Sequence, residues 1–309
     1  MIPHVSVLLE ESIALFDGVH LETFYEGTVG AGGHAEAILT AHPEIKTYIA
    51  VDQDEEALKI AKERLKPWKD KVVFIRDNFE NVDKHLEQVG LTEVNGMFFD
   101  LGVSSMQLDQ DTRGFSFLKE GPLDMRMDQR GSLTAETVVN EYSEDELGDL
   151  FKDLGEEPRW KRAASAVARA RRRKPIKSTT ELADILKEEL KVAPRGKKIH
   201  PATLIFQAIR IHVNRELNVV QEGIRKAIQC LAKQGRIGVI SFHSFEDRLV
   251  KNIFRDFVKK KANKFKQETE TAYTHALKIL TKKPIIPSMD EITKNPRSRS
   301  AKLRCGEKE

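Results

Sequence analysis

Short runs of β-prone apolar residues alternate with amphipathic stretches over the first hundred residues of the chain. Short continuous apolar runs predict buried strands, and apolar residues spaced three to four positions apart predict helices. The pattern predicts strands at 23–25, 47–51, 72–75 and 97–99, and helices at 35–39, 55–65 and 82–89. Alternation at this spacing indicates βαβ units, and therefore a parallel sheet covered by helices.

The alternation stops for about a hundred residues and then returns. Helices are predicted at 144–154, 161–173, 180–190 and 215–233, followed by strands at 237–242 and 301–304. We therefore predict an α/β fold with a Rossmann-like sheet, in which a discontinuous domain of residues 1–108 and 206–309 is interrupted by an inserted helical domain at 109–205.

Composition excludes several classes of protein. In 309 residues, 40% are hydrophobic and 32% charged, so a sizeable core is expected and global disorder is not. Cys230 and Cys305 lie far apart, which gives neither a disulfide framework nor a thiolate zinc site. No targeting segment and no apolar run long enough to span a membrane is visible, so we expect a cytoplasmic protein without a membrane partner.

Charge is unevenly distributed along the chain. Residues 251–309 contain 16 Lys and Arg against 7 Asp and Glu, a net of +9, while the whole chain carries only +3. The first 250 residues are therefore acidic overall, with a net of −6. Such asymmetry suggests a basic surface for an anionic partner, although a solvated tail would give the same composition.

A glycine-rich turn follows the first predicted strand and opens a helix. The segment EGTVGAGGHA contains Gly30, Gly32 and Gly33, and Asp52 ends the next strand 20 residues after Gly32. Glycines allow close approach of the backbone to a ligand, and an acidic residue at this distance suits ribose hydroxyls. The pattern predicts a site for an adenosine-type cofactor, without specifying which one.

Two carboxylates favour a methyl donor over a nicotinamide cofactor. Glu26 precedes the glycines and Asp100 ends the fourth predicted strand. Anionic side chains attract sulfonium and ammonium groups and repel a diphosphate. A nicotinamide-dependent oxidoreductase nevertheless remains an alternative at this point, as does a non-enzymatic ribosome assembly factor built on a methyltransferase scaffold.

Nine motifs spread along nearly the whole chain carry a family resemblance. They are GTVGAGGHA, AVDQD, DLGVSSMQLD, RGFSF, GPLDMRMD, HPAT, FQAIRIHVN, ISFHSFEDR and NPRSRSAKLR. In combination they resemble the bacterial 16S ribosomal RNA cytosine-N4 methyltransferases, the MraW-like family. The resemblance implies a class I methyltransferase sheet, S-adenosylmethionine as cofactor, and N4-methylation of a cytosine in 16S ribosomal RNA, in the decoding centre. It also implies that the inserted domain helps to hold the RNA.

Carried onto this sequence, the resemblance implies a set of cofactor contacts. Asp52 is assigned to the ribose, Phe79 to packing near the adenine, and Asp100 to the adenine side or the methionine portion. The full set is Gly32, Gly33, His34, Asp52, Phe79, Asp100 and Gln107. The sequence departs from the family at Glu26, where Asp is usual, at Met106, where Pro is usual, and at Gln234–Gly235, where two glycines are usual.

The expected reaction is a direct in-line displacement in which the cytosine amine attacks the sulfonium methyl group, and it needs no metal. An acceptor for the amine proton would help the nitrogen to pyramidalise, and alignment of the reactants contributes on the order of 7–11 kcal/mol in favourable systems. Backbone carbonyls in the turn at 102–105 are candidates for this acceptor. The candidate side chains are Ser104, Ser105, Asp124 and His243.

A basic run in the predicted insert indicates a nucleic-acid partner. Residues 159–177 contain nine Lys and Arg and no acidic residue. Because such charge repels itself without a polyanion, we expect phosphate contacts here, above all at Arg171–Arg173. Arg297, Arg299 and Arg304 extend the basic surface in the C-terminal motif. The expected partner is 16S ribosomal RNA or the small ribosomal subunit; a homodimer is left open.

Overall fold

A computed structural model describes residues 6–190, 200–258 and 276–309. The chain divides into two compact units, one of Met1–Gly102 with Leu217–Glu309 and one of Val103–Glu216. The second unit thus begins and ends outside the predicted insert of 109–205. It includes the helix α10 (Ala202–Val213), which packs into the helical core rather than against the sheet.

The first unit is built on a seven-stranded sheet. Its strands are β1 (Thr23–Glu26), β2 (Thr47–Asp52), β3 (Val72–Arg76), β4 (Val94–Asp100), β5 (Leu231–Ser241), β6 (Leu277–Ile279) and β7 (Lys302–Lys308). They lie in the order β3-β2-β1-β4-β5-β7-β6; the first five run parallel, whereas β7 is antiparallel to β5 and to β6. This confirms the predicted α/β fold with a Rossmann-like sheet, and adds the antiparallel edge that the sequence pattern left open.

Helices cover both faces of this sheet. They are α1 (Leu9–Ala14), α2 (Gly33–Ala41), α3 (Glu55–Arg64), α4 (Val82–Gln88), α11 (Glu216–Gln229), α12 (Ser244–Asp256) and α13 (Met289–Lys294). Successive strand residues point to opposite faces of the sheet. On one face, Phe24 and Phe98 pack in a core with α2 and α3. On the other face, Tyr25 and Phe99 pack in a core with α4, α11 and α12. The near-continuous apolar strands are those of a sheet buried on both sides.

One predicted boundary was wrong. The helix predicted at 215–233 ends at Gln229, and Leu231 already pairs with Val94 as the first residue of β5. The register then shifts, so that Arg236 lies opposite Gly96, and Gln234, which lies within the extra residues of β5, has a left-handed φ of 62°. Leu231 and Ala232 continue the amphipathic spacing of α11, which is why the sequence pattern extended the helix too far.

The second unit is helical. Its helices are α5 (Ser105–Asp109), α6 (Ala135–Glu141), α7 (Glu144–Asp153), α8 (Trp160–Arg171), α9 (Thr179–Glu189) and α10. Their apolar faces enclose a separate core that includes Phe151, Val167, Leu182 and Ile205. Within the described residues, no helix is both long and apolar enough to cross a membrane.

Candidate active site

A glycine turn joins β1 to α2 at the carboxyl edge of the sheet. Gly32 is the N-cap residue of α2 and has a φ of 80°, a left-handed conformation that glycine adopts without strain. A Cβ on Gly33 would lie 2.2 Å from Ser6 Oγ, so a side chain there would have to displace the Ser6 hydroxyl. The left-handed φ of Gly32 and the close contact at Gly33 thus explain why glycines occupy the turn. The first N–H groups of α2 follow the turn and can donate hydrogen bonds to a polar ligand.

Asp52 connects this turn to the end of β2. Gly30 N–H donates to its Oδ2 at 2.8 Å, and Asp54 N–H donates to its Oδ1 at 2.9 Å. Burial raises the pKa of Asp52 to about 6, although these two bonds oppose the shift. Each carboxylate oxygen has a further lone pair, so Asp52 holds the turn in place and can still accept hydrogen bonds from ribose hydroxyls.

Asp100 ends β4 and has a buried oxygen that lacks a partner. Its N–H donates to Thr28 Oγ1 at 2.6 Å, whereas its Oδ1 accepts no hydrogen bond from any described residue. Burial, together with the negative charge of Glu246, raises its pKa to about 7. Because an unpaired buried carboxylate oxygen is costly, this atom is suited to a donor or cation supplied by a ligand.

His34 lies beneath Asp100 on the first turn of α2. Its Nε2 is 3.0 Å from the carbonyl oxygen of Val7, which can only accept, so Nε2 carries the proton. The buried ring packs on Phe98, with centroids 4.8 Å apart, and Nδ1 is 3.8 Å from Asp100 Oδ2. His34 therefore holds the N-terminal segment against the glycine turn; its direct contact with a cofactor stays a prediction.

Glu26 is fully enclosed at the end of β1. It is 1% exposed, and Tyr48 donates its hydroxyl hydrogen bond to Glu26 Oε2 at 2.6 Å. Burial raises the pKa of Glu26 to about 8, with smaller contributions from the charges of Asp100 and Asp52, while the Tyr48 bond opposes the shift. Ionisation of Glu26 is thus held back until a positive charge arrives.

Phe79 follows β3 and is almost wholly buried. Its ring centroid is 5.3 Å from that of Phe99, and a Cβ on Gly223 of α11 would lie 2.4 Å from its Cδ2. The ring therefore fills the core between the sheet and α11. Its predicted place beside an adenine rests on the resemblance alone.

Ser104 and Gln107 form a capping box at the start of α5. Gln107 N–H donates to Ser104 Oγ at 3.2 Å, and Ser104 N–H donates to Gln107 Oε1 at 3.0 Å. Both predicted site residues therefore have a local structural role, which the S-x-x-Q spacing signals in the sequence. Ser105 is the first residue of α5, and its side chain lies outside the described part of the chain.

Asp124 forms a bidentate ion pair with Arg126. Arg126 Nε donates to Oδ1 at 2.8 Å and Nη2 donates to Oδ2 at 2.7 Å. Burial would raise the pKa of Asp124, but the hydrogen bonds and charge of Arg126 outweigh it and lower the pKa. A carboxylate stabilised in this way is a weak base, so Asp124 is poorly suited to accept a proton from the amine.

His243 is the N-cap residue of α12. Its Nδ1 accepts from Glu246 N–H at 3.4 Å, and its Nε2 lies 3.0 Å from Glu246 Oε1. Glu246 Oε2 in turn accepts from Phe242 N–H at 2.8 Å. Both ring nitrogens therefore face Glu246, and the structure gives His243 a capping role.

The carboxyls of Glu26, Asp52 and Asp100 follow or end three strands, β1, β2 and β4, at the same edge of the sheet. Burial raises the pKa of all three, so each would be stabilised in its ionised form by a nearby cation. A diphosphate would add negative charge to this edge. The site is therefore suited to a sulfonium and ammonium compound, and the geometry gives no support to the nicotinamide alternative.

Much of the basic run at 159–177 is neutralised within the second unit. Arg162 and Arg169 both pair with Glu189, with nitrogen–oxygen distances of 3.4 and 2.7 Å. Arg171 donates to the backbone carbonyls of Val139 and Tyr142. The prediction of uncompensated charge was wrong for Arg162 and Arg169, because Glu189 comes next to α8 on folding. The guanidinium of Arg171 is instead held by backbone carbonyls.

The side chains of Arg172, Arg173 and Lys177 remain exposed after α8. In the C-terminal motif, Arg304 is buried and its Nε donates to Asp247 Oδ1 at 2.7 Å, so its prediction as part of a basic surface was also wrong. Arg299, by contrast, is exposed.

Two residues that position the predicted site residues were missed from the sequence. Thr28 accepts the Asp100 N–H and Tyr48 donates to Glu26, so both position predicted site residues. Thr28 lies inside the glycine motif and could have been selected on that ground. Tyr48 could not, because a strand tyrosine looks the same whether it packs or donates a hydrogen bond.

Comparisons with known proteins agree along the whole chain. The model of the MraW methylase family matches residues 1–309. A protein from Protochlamydia amoebophila named ribosomal RNA small subunit methyltransferase H is 50% identical, over 99% of this chain and 97% of its own. A protein of the same name from Sulfurihydrogenibium is 46% identical over 99% of both chains. Among solved structures, an rRNA methylase from Streptococcus thermophilus aligns over 99% of this chain and 98% of its own, with 12% identity and a TM-score of 0.43.

Proposed function

The chain belongs to the MraW methylase family, and from this membership we propose that it methylates N4 of a cytosine in small-subunit (16S) ribosomal RNA, with S-adenosylmethionine as the donor. The observation that carries the proposal is the similarity to small-subunit ribosomal RNA methyltransferases over nearly the full length of both chains. As the resemblance implies, we assign the target cytosine to the decoding centre.

The residues at the edge of the sheet fit this donor. S-adenosylmethionine supplies an electrophilic methyl group on a sulfonium. Asp52 would accept hydrogen bonds from the ribose hydroxyls, and the unpaired Asp100 Oδ1 would accept from the adenine side or the methionine portion. Glu26 would ionise opposite the ammonium group, since its burial makes ionisation costly until a cation is near.

In the transfer, the lone pair of the cytosine amine forms the new N–C bond while the C–S bond breaks, and one amine proton passes to an acceptor. Arg126 makes Asp124 a weaker base, and His243 caps α12 through its Nδ1. We assign the hydrogen-bond acceptor for the amine N–H to the Ser104–Ser105 segment, through a hydroxyl or a backbone carbonyl. Both groups are too weakly basic to keep the proton, which passes on to water. Alignment of the amine with the methyl group then contributes most of the rate enhancement.

The RNA would be held in part by the second unit. Arg172, Arg173 and Lys177 provide exposed positive charge for phosphates. A cytosine would have to leave its stack before its amine could reach the donor.

The test is mass mapping of modified nucleotides in small-subunit ribosomal RNA from cells with and without this protein. We expect one cytosine to lose an N4-methyl group when the protein is absent and to regain it with the wild-type chain. Asp100→Asn should not restore the modification. If the modification pattern is the same in both cells, and the purified protein transfers no methyl group to that RNA, the proposal is wrong.

A further inference from the structure

A cavity of about 430 Å³ lies in the first unit, beyond the carboxyl end of β5. Its volume falls in the range of roughly 300–1,000 Å³ that is typical of small-ligand sites. The pocket is lined by the junction of β5 and α12, by the segment before α13, and by the turn at 296–302. Its lining includes Phe242, His243, Ser244, Ile286, Arg299 and Lys302.

The walls of this pocket are held by backbone hydrogen bonds. Ile285 and Leu303 exchange two N–H···O bonds of 2.9 Å, and Ala301 N–H donates to the Ser298 carbonyl at 2.8 Å. The β5–α12 junction is closed by the capping box of His243 and Glu246. The pocket is therefore a fixed feature of the fold.

The pocket also lies on the same edge of the sheet as the proposed methyl-transfer site. Ile240 of β5 is the register partner of Asp100, and Leu101 N–H donates to the Ile240 carbonyl at 3.0 Å. A Cβ on Gly102 would lie 3.8 Å from Phe242 Cδ2. The pocket therefore begins at Phe242, two residues after the β5 residue that pairs with Asp100 at the end of β4.

The lining combines apolar surface with positive charge. Ile286 is 63% exposed, although it is a large apolar residue. Arg299 is exposed, and no described carboxylate forms an ion pair with it, whereas Lys302 is paired with Asp247 at 3.2 Å. None of the residues that line the pocket is acidic. A flat apolar ring with an attached anion complements this combination better than a small anion or an apolar ligand alone.

We propose that this pocket holds a nucleotide that flanks the target cytosine, with its base against Ile286 and Phe242 and its phosphate on Arg299. The proposal rests on the proposed function, because it takes ribosomal RNA as the substrate. It adds a specific binding site on the first unit, apart from the basic residues after α8.

The test measures binding of oligocytidylate of about ten nucleotides by fluorescence anisotropy between 50 and 200 mM salt. Arg299→Ala should weaken binding and lower the slope of log K against log salt by about 0.7, the value for one phosphate contact on a single strand. Lys294→Ala is the matched control, since Lys294 is an exposed cation on the neighbouring helix that does not line the pocket. It should leave the slope unchanged.

Ile286→Ala tests the base contact. It should weaken binding of oligocytidylate about fivefold without changing the salt slope, because it removes apolar contact and no charge. Binding of an abasic oligomer of the same length should be unaffected by this substitution. Affinity for S-adenosylhomocysteine should match the wild-type value in all three variants, which shows that each is folded.

The pocket proposal is overturned if Arg299→Ala keeps the wild-type salt slope, or if Ile286→Ala weakens binding of both oligomers equally. Methyl transfer from S-adenosylmethionine to small-subunit ribosomal RNA is measured in parallel. Transfer by the wild type, together with unchanged RNA binding by both variants, refutes the pocket alone. Absence of transfer by the wild type refutes the proposed function, whatever the variants bind.

Discussion

Glu26→Gln should remove part of the pH dependence of donor binding. Glu26 has a pKa of about 8 instead of the usual 4.5, mainly because it is buried. The raised pKa corresponds to about 5 kcal/mol against ionisation, at about 1.4 kcal/mol for each pH unit. At pH 7, one unit below this pKa, ionising Glu26 still costs about 1.4 kcal/mol, a factor of ten in affinity for any ligand that requires the carboxylate.

The sign of the effect follows from linkage. With its raised pKa, Glu26 binds a proton that it releases when a donor places an ammonium group opposite the carboxylate. Affinity should therefore rise with pH, by up to tenfold per unit from Glu26, and level off above about pH 8. Asp100 and Asp52, with pKa values of about 7 and 6, add to the slope at lower pH. The difference between wild type and Glu26→Gln isolates the contribution of Glu26.

Calorimetric titration with S-adenosylhomocysteine from pH 6 to 8.5 provides the measurement. The wild type should show a steeper rise in affinity than Glu26→Gln, and proton release should be visible as a buffer-dependent enthalpy. Tyr48→Phe is the control, because it removes the hydrogen bond to Glu26 and keeps the carboxyl that titrates, so the pH dependence should persist. Equal pH slopes for wild type and Glu26→Gln would refute the assignment of Glu26 to the ammonium group.

Three further predictions concern stability, the cap of α12 and RNA binding. Gln234→Gly should raise the free energy of unfolding in urea by about 0.5–1 kcal/mol, because it relieves a left-handed residue at an exposed position; a loss of stability would contradict this. His243→Asn keeps an N-cap side chain and should retain turnover within about twofold at saturating donor and RNA, whereas a drop of more than about tenfold would show that His243 takes part in the chemistry. Replacing Arg172 and Arg173 together by Ala should lower the salt slope of RNA binding by about 1.4–1.8 and leave affinity for S-adenosylhomocysteine unchanged; equal loss of both affinities would show that the two functions are not separate.

The parallel strands could be predicted because each is a short apolar run between helical patterns. The end of α11 could not, because Leu231 and Ala232 fit a helix as well as a strand, and only their pairing with Val94 decides between the two. Pairing between residues so distant in sequence cannot be recognised from the local sequence pattern. The strand predicted at 301–304 overlaps β7, but the antiparallel pairing of β7 with β5 and β6 could not be predicted, and β6 itself was missed.

The residues of the candidate site also divide into those that could be predicted from the sequence and those that depend on the fold. Gly32, Asp52 and Asp100 were identified because turn chemistry and strand ends determine where such residues lie. The partners of the site residues depend on the tertiary fold: Val7 for His34 and Tyr48 for Glu26 are contacts between separate elements. The charge of residues 159–177 was predicted wrongly for the same reason, because the acidic residues that pair with it lie outside this segment.

The connection between β4 and β5 has a consequence for synthesis on the ribosome. These strands are neighbours in the middle of the sheet, yet about 130 residues, including the whole second unit, separate Asp100 from Leu231. At roughly 5–20 residues per second, β4 waits about 7–26 s with one edge unpaired before its partner is made. The second unit, whose residues are continuous in sequence, can complete its core in that interval. The nascent chain therefore exposes a hydrophobic strand edge for many seconds, and a chaperone that covers such edges would act at this stage.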